Sequence, residues 1–519
     1  MKKLPIGIQS FEKIRSDSYI YVDKTRFIYN LINEGTYYFL SRPRRFGKSL
    51  MIDTLKCLFE GKKHLFEGLF IYDKWNWDQQ YPVIRISFGS YKKNINDPDD
   101  LEKYIVARLN EIANNHNVSL SQTLYYEAFR ELIIKLSGKN KVVVLVDEYD
   151  KPILDVIDDF NLCYHNREIL KGFYQIIKDA DEYLKFGMLT GVSKFSKVSI
   201  FSGLNNLYDI SVNEKYSAIC GYTENDLDIF FSDYLKDVDR NEMKKWYNGY
   251  SWMGENVYNP FDLLHFFKEK KFKSYWFQTG TPTFLIKLLA DKKFYIPNIE
   301  NIIADDIILS SFDIENIDPI ALLFQTGYLT IKQILKKGIK EEFVLSYPNL
   351  EVKNALNNSI LQSYTHIGYQ KNNLTNNIYD GLETGNIEIL ITQFQSLFAG
   401  IPYQWYVNNH LNEYEGYFAS VFYSVFQSLG LDCIAEDITN KGRIDLTVKI
   451  GEYIYIFEFK VIEHFSDSKK AIEQIQEKKY YEKYLSENKT IFLVGIDFSK
   501  EERNIKNYDY EKITQSRSV

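Results

Sequence analysis

Apolar residues in this 519-residue chain fall into short unbroken runs separated by longer stretches with helical spacing. Tyr37-Tyr38-Phe39-Leu40, Pro82-Val-Ile-Arg-Ile-Ser-Phe88, Val142-Val143-Val144-Leu145-Val146 and Leu184-Lys-Phe-Gly-Met-Leu-Thr190 have the length and composition of strands. Leu50 to Phe59 and Leu101 to Leu136 repeat their apolar positions at helical intervals. This alternation predicts an α/β fold with a parallel sheet covered by helices. From about Gly221 to Tyr369 the sequence turns helix-rich and aromatic, the pattern of a helical lid and a winged-helix-like module. Within it, Asp318 to Leu350 offers an apolar helix, a Thr-Gly turn, a short strand and a Tyr-Pro-Asn turn. The polar run from Tyr369 to Asn377 reads as a linker. Beyond it, a helix around Tyr414–Tyr423, a hairpin and a helix from about Asp467 to Leu485 predict a further α/β domain, and the charged end from Ser499 to Val519 is expected to be solvated and mobile. The expected domains are residues 1–220, 221–375 and 376–519.

Composition narrows the class. With 45% hydrophobic, 16% aromatic and 26% charged residues, the chain has material for cores and no signature of disorder. At roughly 150 residues per domain its length suits about three domains. Met1-Lys2-Lys3 leads into a mixed, charged segment without a signal-peptide core, and no run reaches the roughly 18 apolar residues of a membrane span. A cytoplasmic location without membrane association is therefore expected. Cys57, Cys163, Cys220 and Cys433 are far apart and form no paired metal-ligand spacing. The net charge of −7 argues against indiscriminate nucleic-acid binding and leaves local basic patches open.

The first chemical signal is Arg42-Pro-Arg-Arg-Phe-Gly-Lys-Ser49, placed where the Tyr37 strand turns into the Leu50 helix. A helix N-terminus offers free backbone N–H groups and the positive end of the dipole, so a triphosphate is the first ligand to consider. ATP is expected at Arg44, Arg45, Phe46, Gly47, Lys48 and Ser49, with Lys48 toward the β/γ-phosphates and the Ser49 hydroxyl on Mg²⁺. A complete phosphate loop has glycine where this chain has Arg42. Arg42, Arg44 and Arg45 have three readings: phosphate contacts, structural residues, or groups reaching a neighbouring copy in a homo-oligomer. The strand from Val142 ends in Asp147-Glu148, which suits Asp147 to the metal and Glu148 to the attacking water. A strand lying between the phosphate loop and this acidic pair points to the additional-strand branch of P-loop ATPases. The strand from Leu184 ends at Thr190, whose hydroxyl is a candidate sensor of the γ-phosphate. Trp246-Tyr-Asn-Gly-Tyr-Ser-Trp252 and Tyr275-Trp276 are assigned to packing rather than to base stacking, because basic residues do not interleave densely with them.

The second signal is Gly442-Arg-Ile-Asp445 followed by Ile454-Tyr-Ile-Phe-Glu458-Phe-Lys460. Asp445 and Glu458 are expected on neighbouring strands, with Glu458 and Lys460 on one face and Phe457 and Phe459 in the core. Two carboxylates so placed can share Mg²⁺, and the lysine can orient or help deprotonate water, as metal-assisted phosphodiester cleavage requires. Glu436 is a further nearby acid whose face the sequence leaves open.

Both signals occur in a chain that resembles, over nearly its whole length, the bacterial AAA-ATPase-like proteins with a C-terminal PD-(D/E)XK nuclease-like domain. The markers are Tyr21-Val-Asp-Lys-Thr25, the Arg42–Ser49 loop, Val146-Asp-Glu-Tyr-Asp-Lys-Pro152, Trp246-Tyr-Asn-Gly-Tyr250, Tyr258-Asn-Pro-Phe261 and Gln325-Thr-Gly-Tyr-Leu329. The Arg-Pro-Arg-Arg-Phe-Gly-Lys-Ser loop resembles that family's own. The resemblance also implies site roles for Glu415, as an additional acid, and for Gln474, as a glutamine beside the nuclease site. The expected function is ATP binding and hydrolysis coupled to Mg²⁺-dependent DNA cleavage, with foreign or mobile DNA as the working target. The alternative is an ATP-dependent switch or scaffold whose nuclease-like domain is inactive and binds a partner or DNA.

Overall fold

Five parallel strands build the first sheet: β1 (Tyr37–Ser41), β2 (Val83–Ser87), β3 (Val142–Asp147), β4 (Leu184–Gly191) and β5 (Tyr208–Asp209). Their order is β2-β3-β4-β1-β5. β1 and β3 are buried along their whole length, as parallel strands covered on both faces must be. In space the strand between β1 and β3 is β4, the last of the four in the chain. The Val83 strand, which precedes β3 in sequence, takes the edge. Register aligns Leu40 with Thr190, Val146 with Leu189 and Ser87 with Asp147. The loops after β1, β3 and β4 therefore leave the same, carboxyl edge of the sheet, where open α/β sheets bind ligands.

The computed structural model describes residues 2–94, 97, 99–194, 206–276, 283–310, 316–365, 371–401, 415–462 and 470–514. It divides into two units, Met1–Thr279 with Ile303–Leu350, and Gly280–Ile302 with Glu351–Val519. The first also contains all but the first residue of β6 (Ile302–Asp305), with β7 (Thr330–Lys337) and β8 (Lys340–Ser346), ordered β6-β8-β7. The helix Pro319–Thr326 precedes β7 and stops at Gly327. The aromatic motif serves packing. Tyr250 and Trp252 meet Phe46 edge-on at 4.7 and 5.4 Å, and Tyr247 is buried with Met243, Phe266 and Phe267.

The second unit carries a five-stranded sheet of β9 (Asp432–Ile438), β10 (Arg443–Ile450), β11 (Tyr453–Ile462), β12 (Thr490–Ser499) and β13 (Asn504–Ile513), in the order β13-β12-β11-β10-β9. Only β11 and β12 run parallel among these neighbours. Phe418, Phe422 and Phe426 of the helix Glu415–Ser428 pack on Phe457, Phe459 and Phe498 of one face. Ile472 and Ile475 of the helix Lys470–Lys478 join Ile454, Ile456, Ile491 and Leu493 of the other.

Three expectations change here. Residues 371–377 are no linker but open the helix Lys371–Thr384. Their asparagines conceal a helical stripe, Thr375, Ile378 and Leu382, which is buried, and tertiary burial overrides weak propensity. The end of the chain is not free either, because β13 pairs antiparallel with β12 and buries Ile505. Backbone groups on an uncovered edge strand favour such a partner. The helix expected to reach Leu485 stops at Lys478, Lys479 takes φ 50°, and 3₁₀ turns follow from Tyr480 to Glu487. Residues 463–469 and 515–519, parts of the helix and tail expectations, lie outside the described residues.

Candidate nucleotide and nuclease sites

The loop after β1 is shaped by Arg42. Its guanidinium is fully buried, donates to the carbonyls of Ser41 (2.9 Å), Ser211 (2.5 Å), Tyr216 (3.3 Å) and Ser217 (3.4 Å), and lies 4.0 Å over the Trp252 ring. Burial lowers its pKa to about 10. Its backbone N–H extends the sheet by donating to Gly191 O at 3.1 Å. Arg42 thus ties the loop to the segment after β5, which leaves its charge on protein carbonyls.

Further along, Arg45 takes φ 69° and lies 4.2 Å over Phe261, the carbonyl of Arg44 accepts from Trp276 Nε1 at 3.2 Å, and Phe46 is buried. Gly47, at φ 96°, caps the helix Lys48–Phe59, a backbone state only glycine adopts freely. Ser49 lies in the first turn of that helix. Lys48 Nζ folds back to the carbonyls of Arg42 (2.8 Å) and Pro43 (2.9 Å). Burial lowers its pKa, and the Asp147 charge opposes that shift.

At the end of β3, Asp147 is buried and accepts from Thr190 Oγ1 at 2.8 Å. Glu148 takes φ 54°, and its Oε2 lies 3.1 Å from where a Cβ on Gly89 would stand. Burial and then the Asp147 charge raise its pKa. Asp150 accepts from the backbone N–H groups of Val192 (2.9 Å) and Ser193 (2.6 Å), joining the loops after β3 and β4. A cavity of about 590 Å³ is lined by Lys48, Ser49 and Glu148 together with the apolar Ile6, Val22, Phe261 and Leu264. Asp147 and Thr190 do not line it. Thr190 is spent on its hydrogen bond to Asp147.

In the second unit the β10–β11 register, Leu446 opposite Phe457, carried one residue further sets Asp445 opposite Glu458. Directly opposed residues share a face, so the carboxylates are neighbours. Asp445 Oδ2 accepts from Phe459 N–H at 2.8 Å. Lys460 Nζ lies 3.3 Å from Glu415 Oε1, 3.5 Å from Glu458 Oε1 and 3.0 Å from Phe459 O. Gln474 Nε2 donates to the same Glu458 Oε1. It can do so because β11 pairs Glu458 with Gly495, and a Cβ on Gly495 would stand 2.3 Å from Ile472 N. The glycine lets the helix Lys470–Lys478 lie directly on the sheet.

Residues 5–201 match a family described as a predicted AAA-ATPase, and residues 413–508 match the PD-(D/E)XK nuclease superfamily. Over 515 residues, 99% of each chain, the protein is 48% identical to the "Uncharacterized protein in vnfD 5'region" of Azotobacter chroococcum mcd 1. The chain belongs to the AAA-ATPase-like family with a C-terminal PD-(D/E)XK nuclease domain.

That family's two domains coincide with the two sites. In the nuclease-like domain, burial raises the pKa of Asp445 and of Glu458, and the Asp445 charge raises Glu458 further. Burial acts against the Lys460 ammonium, but Glu415, Glu458 and Asp445 outweigh it and its pKa rises. Glu458 is 1% exposed and its Oε2 has no hydrogen-bond partner, an expensive state for a buried acceptor and one that a cation relieves. Among the described residues no three His, Cys, Asp or Glu side chains gather to hold a metal. Asp445 and Glu458 would hold a hard cation whose remaining ligands are water and substrate oxygens, as is common for Mg²⁺. The cavity's apolar wall was illegible beforehand, because Ile6, Val22 and Phe261 are separated along the chain, and the motifs holding Val22 and Phe261 do not show that they meet. Among the described residues no helix is long and apolar enough to cross a membrane, and the four cysteines are buried and free.

Proposed function

We propose that the protein binds and hydrolyses ATP and that this activity governs a Mg²⁺-dependent DNA endonuclease site at Asp445 and Glu458, with foreign or mobile DNA as the target. The observation carrying the nuclease reading is the partnerless Oε2 of buried Glu458, a residue that the strand register sets opposite Asp445. A cation bound there would polarise the scissile phosphodiester and acidify a water molecule. Lys460 orients that water, Glu415 keeps Lys460 charged, and Gln474 holds the Glu458 carboxylate.

In the nucleotide site, Lys48 exchanges its loop carbonyls for the β/γ-phosphates, alongside backbone N–H groups of Arg44, Arg45, Phe46 and Gly47. Ser49 and Asp147 supply oxygens for Mg²⁺, Thr190 orients Asp147, and Glu148 aligns the attacking water.

The test is cleavage of supercoiled plasmid DNA with Mg²⁺ or Mn²⁺, with and without ATP, by wild type, Asp445→Ala and Glu148→Gln. Wild type should nick the plasmid, Asp445→Ala should not, and Glu148→Gln should bind ATP without turning it over. A wild type that leaves DNA intact under all conditions refutes the nuclease, and the AAA-ATPase-like domain would then act as a switch on a binding module.

A further inference from the structure

The hairpin joining β9 and β10 brings a cation beside the acidic pair. Its tip is closed by Thr439 N–H donating to Gly442 O at 2.8 Å, and the next residue, Arg443, opens β10. Residues two apart on a strand share a face and lie about 6.8 Å apart, so Arg443 flanks Asp445 on the carboxylate face. The Arg443 side chain is 67% exposed, and its Nη1 is held 2.9 Å from Glu436 Oε2.

Glu436 is unusual in its own right. The β9–β10 ladder pairs Ile444 with Asp437 and Leu446 with Ala435 in unbroken register, which leaves Glu436 across from Asp445, the single position the ladder skips. There Glu436 takes φ 49°, a left-handed conformation that costs a non-glycine residue more than an exposed ion pair returns. Stability alone does not account for the arrangement. A carboxylate held across from Asp445 to aim a solvent-facing guanidinium along the acidic face does.

We propose that Arg443 grips a backbone phosphate of the DNA strand next to the scissile one, and that Glu436 is the positioning residue that aims it. The inference rests on the nuclease reading of Asp445 and Glu458. Chemistry favours the assignment, because a planar guanidinium matches phosphate oxygens bidentately and keeps its charge. The two-residue separation along β10 also puts it within about one nucleotide of Asp445.

The test uses the full chain and a fluorescein-labelled DNA duplex, with Ca²⁺ replacing Mg²⁺ for binding and Mg²⁺ present for cleavage. Arg443→Ala should weaken binding about tenfold and reduce the slope of log affinity against log salt by about 0.9, the value of one duplex phosphate contact. In cleavage, KM should rise more than kcat falls. Arg443→Lys should recover the slope but only part of the affinity. Glu436→Ala discriminates by sign, since loss of a negative charge alone tightens DNA binding whereas loss of aim weakens it. Weakening is expected, and tightening overturns the positioning role. An unchanged slope and KM in Arg443→Ala, beside a wild type that cuts DNA, overturns the phosphate contact alone. A loss seen with RNA of the same sequence and not with DNA overturns it too, and a wild type that binds no DNA overturns this assignment together with the nuclease.

Discussion

Replacing Gly495 with alanine should loosen the nuclease-like domain from inside. The added Cβ would stand 2.3 Å from Ile472 N and 2.8 Å from Ile472 Cα. Those are backbone atoms, so no rotamer change relieves the clash. Ordinary contact begins about 1 Å further out, and the helix Lys470–Lys478 must retreat by about that much. Overpacking of this kind costs typically 1–3 kcal/mol. In a unit of this size each kcal/mol lowers the melting temperature by about 2–4 °C. The same retreat withdraws Gln474 from Glu458 and opens the contacts of Ile472 and Ile475 with Ile454 and Ile456. Displacing a site side chain by about 1 Å can cost about a hundredfold in rate. Differential scanning calorimetry of wild type and Gly495→Ala, paired with Mg²⁺-dependent cleavage, reads both effects. An unchanged transition and unchanged cleavage would refute the close helix–sheet approach and the positioning of Gln474 built on it.

Arg42→Gly, which would restore the glycine of a complete phosphate loop, should destabilise rather than improve the protein. It strips a buried cation from four carbonyls and from Trp252, a loss of about 3 kcal/mol or more measurable by urea unfolding. Lys48→Met, which keeps the aliphatic stem and removes the charge, should weaken binding of fluorescent ATP about tenfold to hundredfold, the worth of one charge-assisted contact by titration. The raised carboxyls of Asp445 and Glu458 bind protons more tightly in the folded than in the unfolded chain. Their contribution is complete below the unfolded carboxyl range and is lost as pH rises through the raised folded values. With chelator present, the melting temperature should therefore fall from about pH 5 to about pH 8, while Mg²⁺ or Asp445→Asn flattens the profile.

Much of the chemistry is local and was legible. A Gly-Lys-Ser triplet between an apolar run and a helical stripe, an acidic pair closing a second run, and the Asp445, Glu458 and Lys460 spacing all follow from strand and helix periods. The parallel sheet was expected on the same grounds, whereas the two family domains were expected from the resemblance that the quoted motifs carry. Other features depend on partners remote in the chain. Arg42 was open to three readings because its acceptors, Ser211, Tyr216 and Ser217, and its stacking ring Trp252 come more than 160 residues later. The Asn-rich stretch at 371–377 was misread because three buried side chains outweigh poor helix propensity only once a neighbouring helix covers them. The last strand was misread because pairing depends on the open edge of β12, which residues 504–513 do not themselves display.

Side-chain periodicity and backbone chemistry therefore dictate which elements form and which end of each carries a reactive group. The order β2-β3-β4-β1-β5, the burial of Arg42, the opposition of Asp445 and Glu458, and the union of Gly280–Ile302 with the C-terminal unit are decided by tertiary contacts. The physical reason is one of range: φ/ψ preferences and apolar spacing act over a few residues, whereas burial, register and pairing are settled only when distant segments compete for the same surface.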